Sequence, residues 1–272
     1  MSRDVFQIAN RVVAVTGGLG QLGHQFAAEL HRRGAKVAVL DIDMSAERIA
    51  ARYSGAANED GWMFVETDVT SKDSLRAALA AIEAKWETPF GLVNNAALDS
   101  PPSAPASETG PFEDYPEASW DKVMEVNAKG VFLACQVFGG AMAAAGRGSI
   151  ANIGSIYGVV SPDQSIYEFR RRNGETFYKP VAYSASKSAL YNLTRYLATY
   201  WGPKRVRVNI LTFAGVFNNQ PTEFLEGYHR KVPMGRMARA DEFNGAVVFL
   251  MSDASSYMTG AEMTLDGGFT AW

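Results

Sequence analysis

Apolar positions along this chain follow two rhythms that alternate from end to end. Short continuous runs such as Val12-Val13-Ala14-Val15 and Val37-Ala38-Val39-Leu40 have the composition of strands buried on both faces. The next stretch spaces its apolar residues, Leu22, Phe26, Ala27 and Leu30, three and four apart, as one face of a helix does. Strands are predicted near 11–16, 36–41, 62–67, 90–94, 148–153, 206–212 and 262–265, and helices near 20–33, 45–53, 71–87, 117–145, 182–201 and 240–252. Such alternation predicts a single α/β domain over 1–272, a doubly wound, Rossmann-like parallel sheet with helices on both faces. Two segments break the rhythm: 98–116, rich in proline and serine, and 161–180, which carries Arg170-Arg171-Arg172. Ligands bind beyond the carboxyl ends of such strands. The insertion near 161–180 and the segment near 213–230 both leave central strands there, and are read as a substrate-side insertion and a lid.

The first strand runs into Thr16-Gly17-Gly18-Leu19-Gly20-Gln21-Leu22-Gly23. A buried strand, a glycine turn and a helix N-terminus make a cradle for a pyrophosphate. Gly17, Gly20, Leu22 and Gly23 are its candidate residues. The alternative for a lone glycine motif is a tight turn with no ligand. Asp41 ends the second strand, near the offset of about 20 residues at which an acid meets the adenosine ribose. That carboxylate can accept from both ribose hydroxyls and repels a 2′-phosphate, and neither the turn nor the residue after Asp41 supplies a cation. NAD is therefore expected in preference to NADP. Asp43 competes for the ribose role, or starts the next helix.

Composition narrows the class. At 272 residues the chain can bury a large α/β core. A formal net charge of −3, with no basic stripe, argues against nucleic acid as a partner. Cys135 is the single cysteine, so no intrachain disulfide can form, which suits a reducing cytoplasm. No leader-like segment opens the chain and no apolar run is long enough for a bilayer, so a cytoplasmic protein without a membrane partner is expected. His24, His31 and His229 lack metal-ligand spacing and are read as surface residues; no metal site is expected.

The candidate chemistry lies later. Tyr183 and Lys187, in Tyr183-Ser184-Ala185-Ser186-Lys187, are four apart and share a helix face. Free tyrosine titrates at about 10. A nearby lysine cation favours the phenolate and lowers that value. Ser155, in Gly154-Ser155-Ile156-Tyr157-Gly158, can hold an alcohol or ketone oxygen against the tyrosine.

Together with Asp68-Val69, Asn94-Asn95-Ala96-Ala97, Asn127 and Asp266-Gly267-Gly268, these motifs run in the order of the short-chain dehydrogenase/reductase family, which the chain resembles over nearly its whole length. The resemblance implies that Asp68 and Val69 lie against the adenine and that Asn95 and Ala96 lie beside the cofactor. It implies that Asn127 kinks its helix and positions a water relaying protons to Lys187. It also implies that Tyr183 exchanges a proton with the substrate hydroxyl while hydride moves between substrate and nicotinamide, with Ser155 steadying the oxygen and Lys187 holding the ribose. Departures are Gln21 where a glycine is usual, Ala97, Phe213-Ala214 in place of Pro-Gly, and a longer gap between Ser155 and Tyr183. Val216 remains able to offer its backbone to the carboxamide.

The insertion, Phe217-Asn218-Asn219-Gln220-Pro221, Lys231 to Met237 and the ending Asp266 to Trp272 resemble the branch associated with flagellin modification and surface-sugar biosynthesis. That resemblance implies a polyhydroxylated substrate; Arg170 to Arg172 either meet an anionic part of it or are a solvated charge run. Asn218, Asn219, Gln220 and Glu223 either bond substrate hydroxyls or solvate a loop. The expected activity is oxidation of a secondary alcohol, or reduction of its ketone. Alternatives are reduction of acyl thioesters or small cyclic ketones, and a catalytically silent NAD-sensing or scaffold protein. Surplus apolar residues on the helices near 117–145 (Val126, Phe132, Val137, Phe138) and 182–201 (Leu190, Tyr191, Tyr196, Leu197, Tyr200) predict a homo-oligomer, a dimer of dimers.

Overall fold

The computed structural model describes residues 4–55, 59–99 and 106–272. Seven parallel strands form one sheet: β1 Val12–Thr16, β2 Lys36–Asp41, β3 Trp62–Glu66, β4 Gly91–Asn94, β5 Gly148–Ile153, β6 Val206–Phe213 and β7 Glu262–Leu265, in the order β3-β2-β1-β4-β5-β6-β7. β1 and β5 are buried along their whole length, which is why they read as unbroken apolar runs. The strand order reverses between β1 and β4, which pair from Val13↔Gly91 to Val15↔Val93. Connections leave there toward opposite faces of the sheet, and a crevice opens at the carboxyl ends.

On one face lie α1 (Gly23–Arg32) and, late in the chain, Asn244–Met251; their Phe26, Leu30, Val247 and Leu250 are buried against Val13, Val15 and Val39. After α2 (Ala46–Tyr53) come the helices of the other face: α3 (Lys72–Lys85), α4 (Glu117–Ala145) and α5 (Val181–Trp201). α4 is long and apolar enough to cross a membrane, against the expectation that no run had that length. Here Leu133, Ala134, Phe138 and Met142 are instead buried in the core shared with α3 and α5. Two π-turns interrupt α4, Glu125–Lys129 around Asn127 and Cys135–Gly139. Such turns recur at functional positions.

Two further expectations change. Val137, Phe138, Leu190, Tyr191 and Leu197 are buried within the protomer, so the outward surplus on α4 and α5 reduces to Phe132, Tyr196 and Tyr200 with Val126 half-buried. The histidines are half-buried rather than superficial: the His31 ring stacks on Trp62 with centroids 4.3 Å apart, and His24 Nδ1 lies 3.2 Å from the Gly20 carbonyl.

The insertion is not a bare loop. It folds as a turn, Gln164–Tyr167, and a short helix, Glu168–Arg172. Its Ile166, Tyr167 and Phe177 form a small core with Tyr228, Val232 and Met237, joining it to the lid helix α6 (Thr222–His229). Arg170 and Arg171 bond within this unit, whereas Arg172 is exposed. Arg170 lies over the Phe177 ring and donates to Glu175 (2.7 Å), while Arg171 donates to Glu168 and to the Gln164 and Phe177 carbonyls. Lys231 then ties lid to insertion through Asp163 at 2.7 Å.

Candidate active site

The glycine turn closes because two of its residues admit no side chain. Gly17 has φ +62°, and a Cβ there would come within 2.8 Å of the Ala96 Cα; a Cβ at Gly23 would collide with the Gly17 carbonyl. Gly20 meets only the Gly17 oxygen at 3.2 Å, so its requirement is looser. Asn95 braces the turn, its Nδ2 donating to the Thr16 and Gly17 carbonyls at 3.1 and 3.0 Å, while the Ala96 N–H donates to Thr16 Oγ1. Leu22 precedes α1 and lines the adjoining cavity together with Gln21, whose amide donates to the Phe217 carbonyl of the lid at 3.0 Å.

Asp41 stands at the end of β2 with its carboxylate fixed. Oδ2 accepts from the Leu19 N–H and Oδ1 from the Ile42 N–H, each at 3.0 Å. Arg48 of α2 approaches Asp41 to 3.5 Å and Asp43 to 3.4 Å, and Arg52 Nε donates to the Leu19 carbonyl. Two cations absent from the turn itself are thus brought there by α2. Their four-residue spacing on one helix face was the available signal. Asp68 is turned into its own loop, accepting from the Thr70 N–H and hydroxyl (2.8 and 2.7 Å), and Val69 packs against Gly130 of α4. A cradle that Cβ atoms would fill, beside a fixed carboxylate, fits a dinucleotide pyrophosphate and ribose.

Ser155 leaves β5, and Tyr183 and Lys187 lie one turn apart on α5, so the sheet and one helix bring the three together. Ser155 and Tyr183 both face one cavity. Lys187 Nζ donates to the Ile153 carbonyl at 2.7 Å and lies 5.8 Å from the Tyr183 ring centroid. Burial pushes the Tyr183 phenol above its ordinary range, with the negative charge of Asp99 adding to it and the nearby Ser155 hydroxyl opposing it. Burial also lowers the Lys187 ammonium from 10.5 to about 8, against a smaller upward pull from Asp99. The sequence expectation of a lowered tyrosine therefore reverses in the protein alone, because desolvation dominates.

Asn127 is fully buried, and its carboxamide spans to Leu98, accepting from the Leu98 N–H (2.7 Å) and donating to its carbonyl (2.9 Å) and to Ser186 Oγ (3.0 Å). Its side chain thus holds the loop after β4. The Val216 carbonyl accepts from Gln220 Nε2 at 2.9 Å, and Phe213 stacks on Phe243 in the core, 4.0 Å between centroids. A cavity of about 510 Å³ joins these parts, with Ser155, Tyr183, Gln21, Asn218, Asn219 and Gln220 among its walls. Glu223 is exposed and lies outside those walls.

Several wall and support residues escaped sequence reading. Tyr157 follows Ser155 by two positions and lines the cavity, as does Tyr167 of the insertion. Lys179 and Asp99 meet at 2.7 Å in the same cavity. Tyr191 donates to the Ser155 carbonyl at 2.9 Å, fixing the end of β5 from α5. Deeper, Asn94 donates to Asn152 and Asn152 to Thr194, a buried polar ladder from β4 through β5 to α5.

A family profile described as enoyl-(acyl carrier protein) reductase matches residues 19–270. The chain belongs to the short-chain dehydrogenase/reductase family. It is an oxidoreductase acting on CH–OH groups. It is 31% identical over 270 residues to an NAD-dependent glycerol dehydrogenase of Listeria innocua, covering 97% of this chain and 96% of the relative. It is 33% identical over 276 residues to a galactitol 2-dehydrogenase (L-tagatose-forming) of Cereibacter sphaeroides, covering 99% of each. Among solved structures, a gluconate 5-dehydrogenase from Burkholderia cenocepacia in complex with NADP and tartrate superposes with a TM-score of 0.83 at 26% identity, covering 99% of this chain and 98% of that one.

Proposed function

We propose that the protein is an NAD-dependent dehydrogenase of a polyhydroxylated secondary alcohol, with Tyr183 as general acid and base. The observation that carries this reading is the convergence of Ser155, Tyr183 and Lys187 on one cavity whose other end is the glycine turn. When bound, the nicotinamide dinucleotide supplies hydride acceptance and return. Every other task belongs to the chain. Gly17, Gly20, Leu22 and Gly23 form the pyrophosphate cradle, Asp41 meets the ribose hydroxyls, and Asp68, Val69, Asn95, Ala96 and the Val216 backbone frame the remainder. Ser155 donates to the reacting oxygen while Tyr183 takes or returns its proton. Lys187 compensates the phenolate, and Asn127 holds the loop that carries Asp99.

Preference for NAD rests on the inward carboxylate of Asp41, which a 2′-phosphate would face directly, and on the occupation of Arg48 by Asp41 and Asp43. The glycerol and galactitol relatives support a polyol substrate. The likeness to the flagellin-modification and surface-sugar branch agrees with it at the level of a polyhydroxylated compound. A cytoplasmic homo-oligomer completes the reading. A second reading, reduction of acyl thioesters, draws on the description of the matched family profile and on the apolar part of the cavity wall, Phe177, Phe224 and Met237. The test is NADH absorbance on incubation with NAD, or with NADP, against a panel of polyols, simple alcohols and acyl thioesters. Turnover of polyols with NAD favoured is expected. Turnover of thioesters alone, or equal use of both dinucleotides, would contradict the respective part.

A further inference from the structure

Lys179 ends the insertion, four positions before Tyr183, and its side chain runs inward. It is 9% exposed, its Nζ lies 5.3 Å from the Tyr183 ring centroid, and it pairs with Asp99 at 2.7 Å. Both residues line the substrate cavity. Both are held from behind by a carboxamide that bonds backbone on two sides. Gln164 accepts from the Lys179 N–H (2.9 Å) and donates to the Lys179 carbonyl (3.3 Å). Asn127 does the same for Leu98, the residue before Asp99. The pair is therefore placed by two separate elements, the insertion and the loop after β4. Preorganisation of this kind characterises built binding sites.

Chemistry limits what it can recognise. An ammonium offers three donors and a carboxylate only acceptors. A hydroxyl is both donor and acceptor, so it can bridge the two without separating them. A carboxylate on the substrate would have to compete with Asp99 for Lys179 while facing its like charge. We infer that Lys179 and Asp99 form a specificity element that reads a hydroxyl flanking the reacting carbinol of a neutral polyol and disfavours a carboxylate at that place. The inference rests on the dehydrogenase reading above and deepens it.

The test compares kcat/KM of the NAD-loaded protein for threitol, cyclohexanol and trans-4-hydroxycyclohexanecarboxylate. A site built to bond a substrate hydroxyl rejects the analogue that lacks it. The parent should therefore prefer threitol over both others. Lys179→Met should lower the threitol-to-cyclohexanol ratio by at least about tenfold, mainly through KM, and Lys179→Arg should restore most of it. Threitol should raise the melting temperature of the NAD-bound parent and raise that of NAD-bound Lys179→Met less. Asp99 is 62% exposed, so Asp99→Asn tests the pair even where a Lys179 variant fails to fold. Asp99→Asn should move preference toward the carboxylate-bearing alcohol by about tenfold or more. Equal losses on threitol and cyclohexanol in Lys179→Met would make Lys179 a packing residue and overturn the inference. So would a parent that prefers the monoalcohol or the acid, a result that leaves the dehydrogenase reading standing. A parent that oxidises none of the three with either dinucleotide overturns that reading, and this inference with it.

Discussion

Burial holds the Lys187 ammonium at about 8, below its ordinary 10.5, although it is only 4% exposed and donates to the Ile153 carbonyl. Keeping that cation out of water costs on the order of 3 kcal/mol. The cost is present in full below the folded value and disappears as pH rises past the unfolded one. Lys187→Met keeps the apolar stem and removes the charge. It should melt several degrees above the parent at pH 7, with the advantage shrinking between about 8 and 10.5, while activity is lost. Thermal melts across pH check this, and a variant less stable than its parent at pH 7 would refute it. Residues such as Ser155, Tyr183, Lys187 and the turn glycines were legible in the sequence because their chemistry is tied to fixed local spacing. Asp99, Lys179, Arg48 and Tyr191 were not, because distant elements assemble them. The direction of the Tyr183 shift was illegible for a related reason: it depends on how much of the chain covers the phenol.

Strands and major helices could be read from periodicity, since each buries a regular face. The insertion could not, because its small core of Ile166, Tyr167 and Phe177 has its partners, Tyr228, Val232 and Met237, far along the chain. Its arginines left open an anion contact or a solvated charge run, because the partners that engage Arg170 and Arg171, Glu168, Glu175 and two carbonyls, are set only by the fold of the insertion. This shared core makes the insertion and α6 one unit at the wall of the cavity, while the glycine turn and Asp41 stand on β1 and β2. Shortening the insertion between 163 and 178 should therefore raise KM for polyols several-fold and leave NAD affinity nearly unchanged. Steady-state kinetics beside dinucleotide titration will decide. Parental kinetics across a substrate panel would show that the insertion does not govern specificity.

At the scale of the whole molecule, the reversal of strand order between β1 and β4 places the glycine turn and the Ser155-Tyr183 pair at the carboxyl ends of the central strands of one sheet. Outside it, Phe132 is 43% exposed, and Tyr196 and Tyr200, 63% and 59% exposed, stack on each other along α5. Aromatic surface of this kind fits a self-complementary contact between two copies. Light scattering at micromolar concentration should give the mass of a dimer or tetramer, and a monomeric mass would remove the oligomer from the account. The central claim is that one phenol performs the proton transfer in an otherwise intact cradle. It is tested most directly by measuring, in parallel, NADH formation from a polyol and NAD binding for the parent and Tyr183→Phe. Turnover should fall by at least about a hundredfold in the variant while NAD affinity changes little. Retention of most of the parental turnover would contradict the account, because some other group would then be moving the proton.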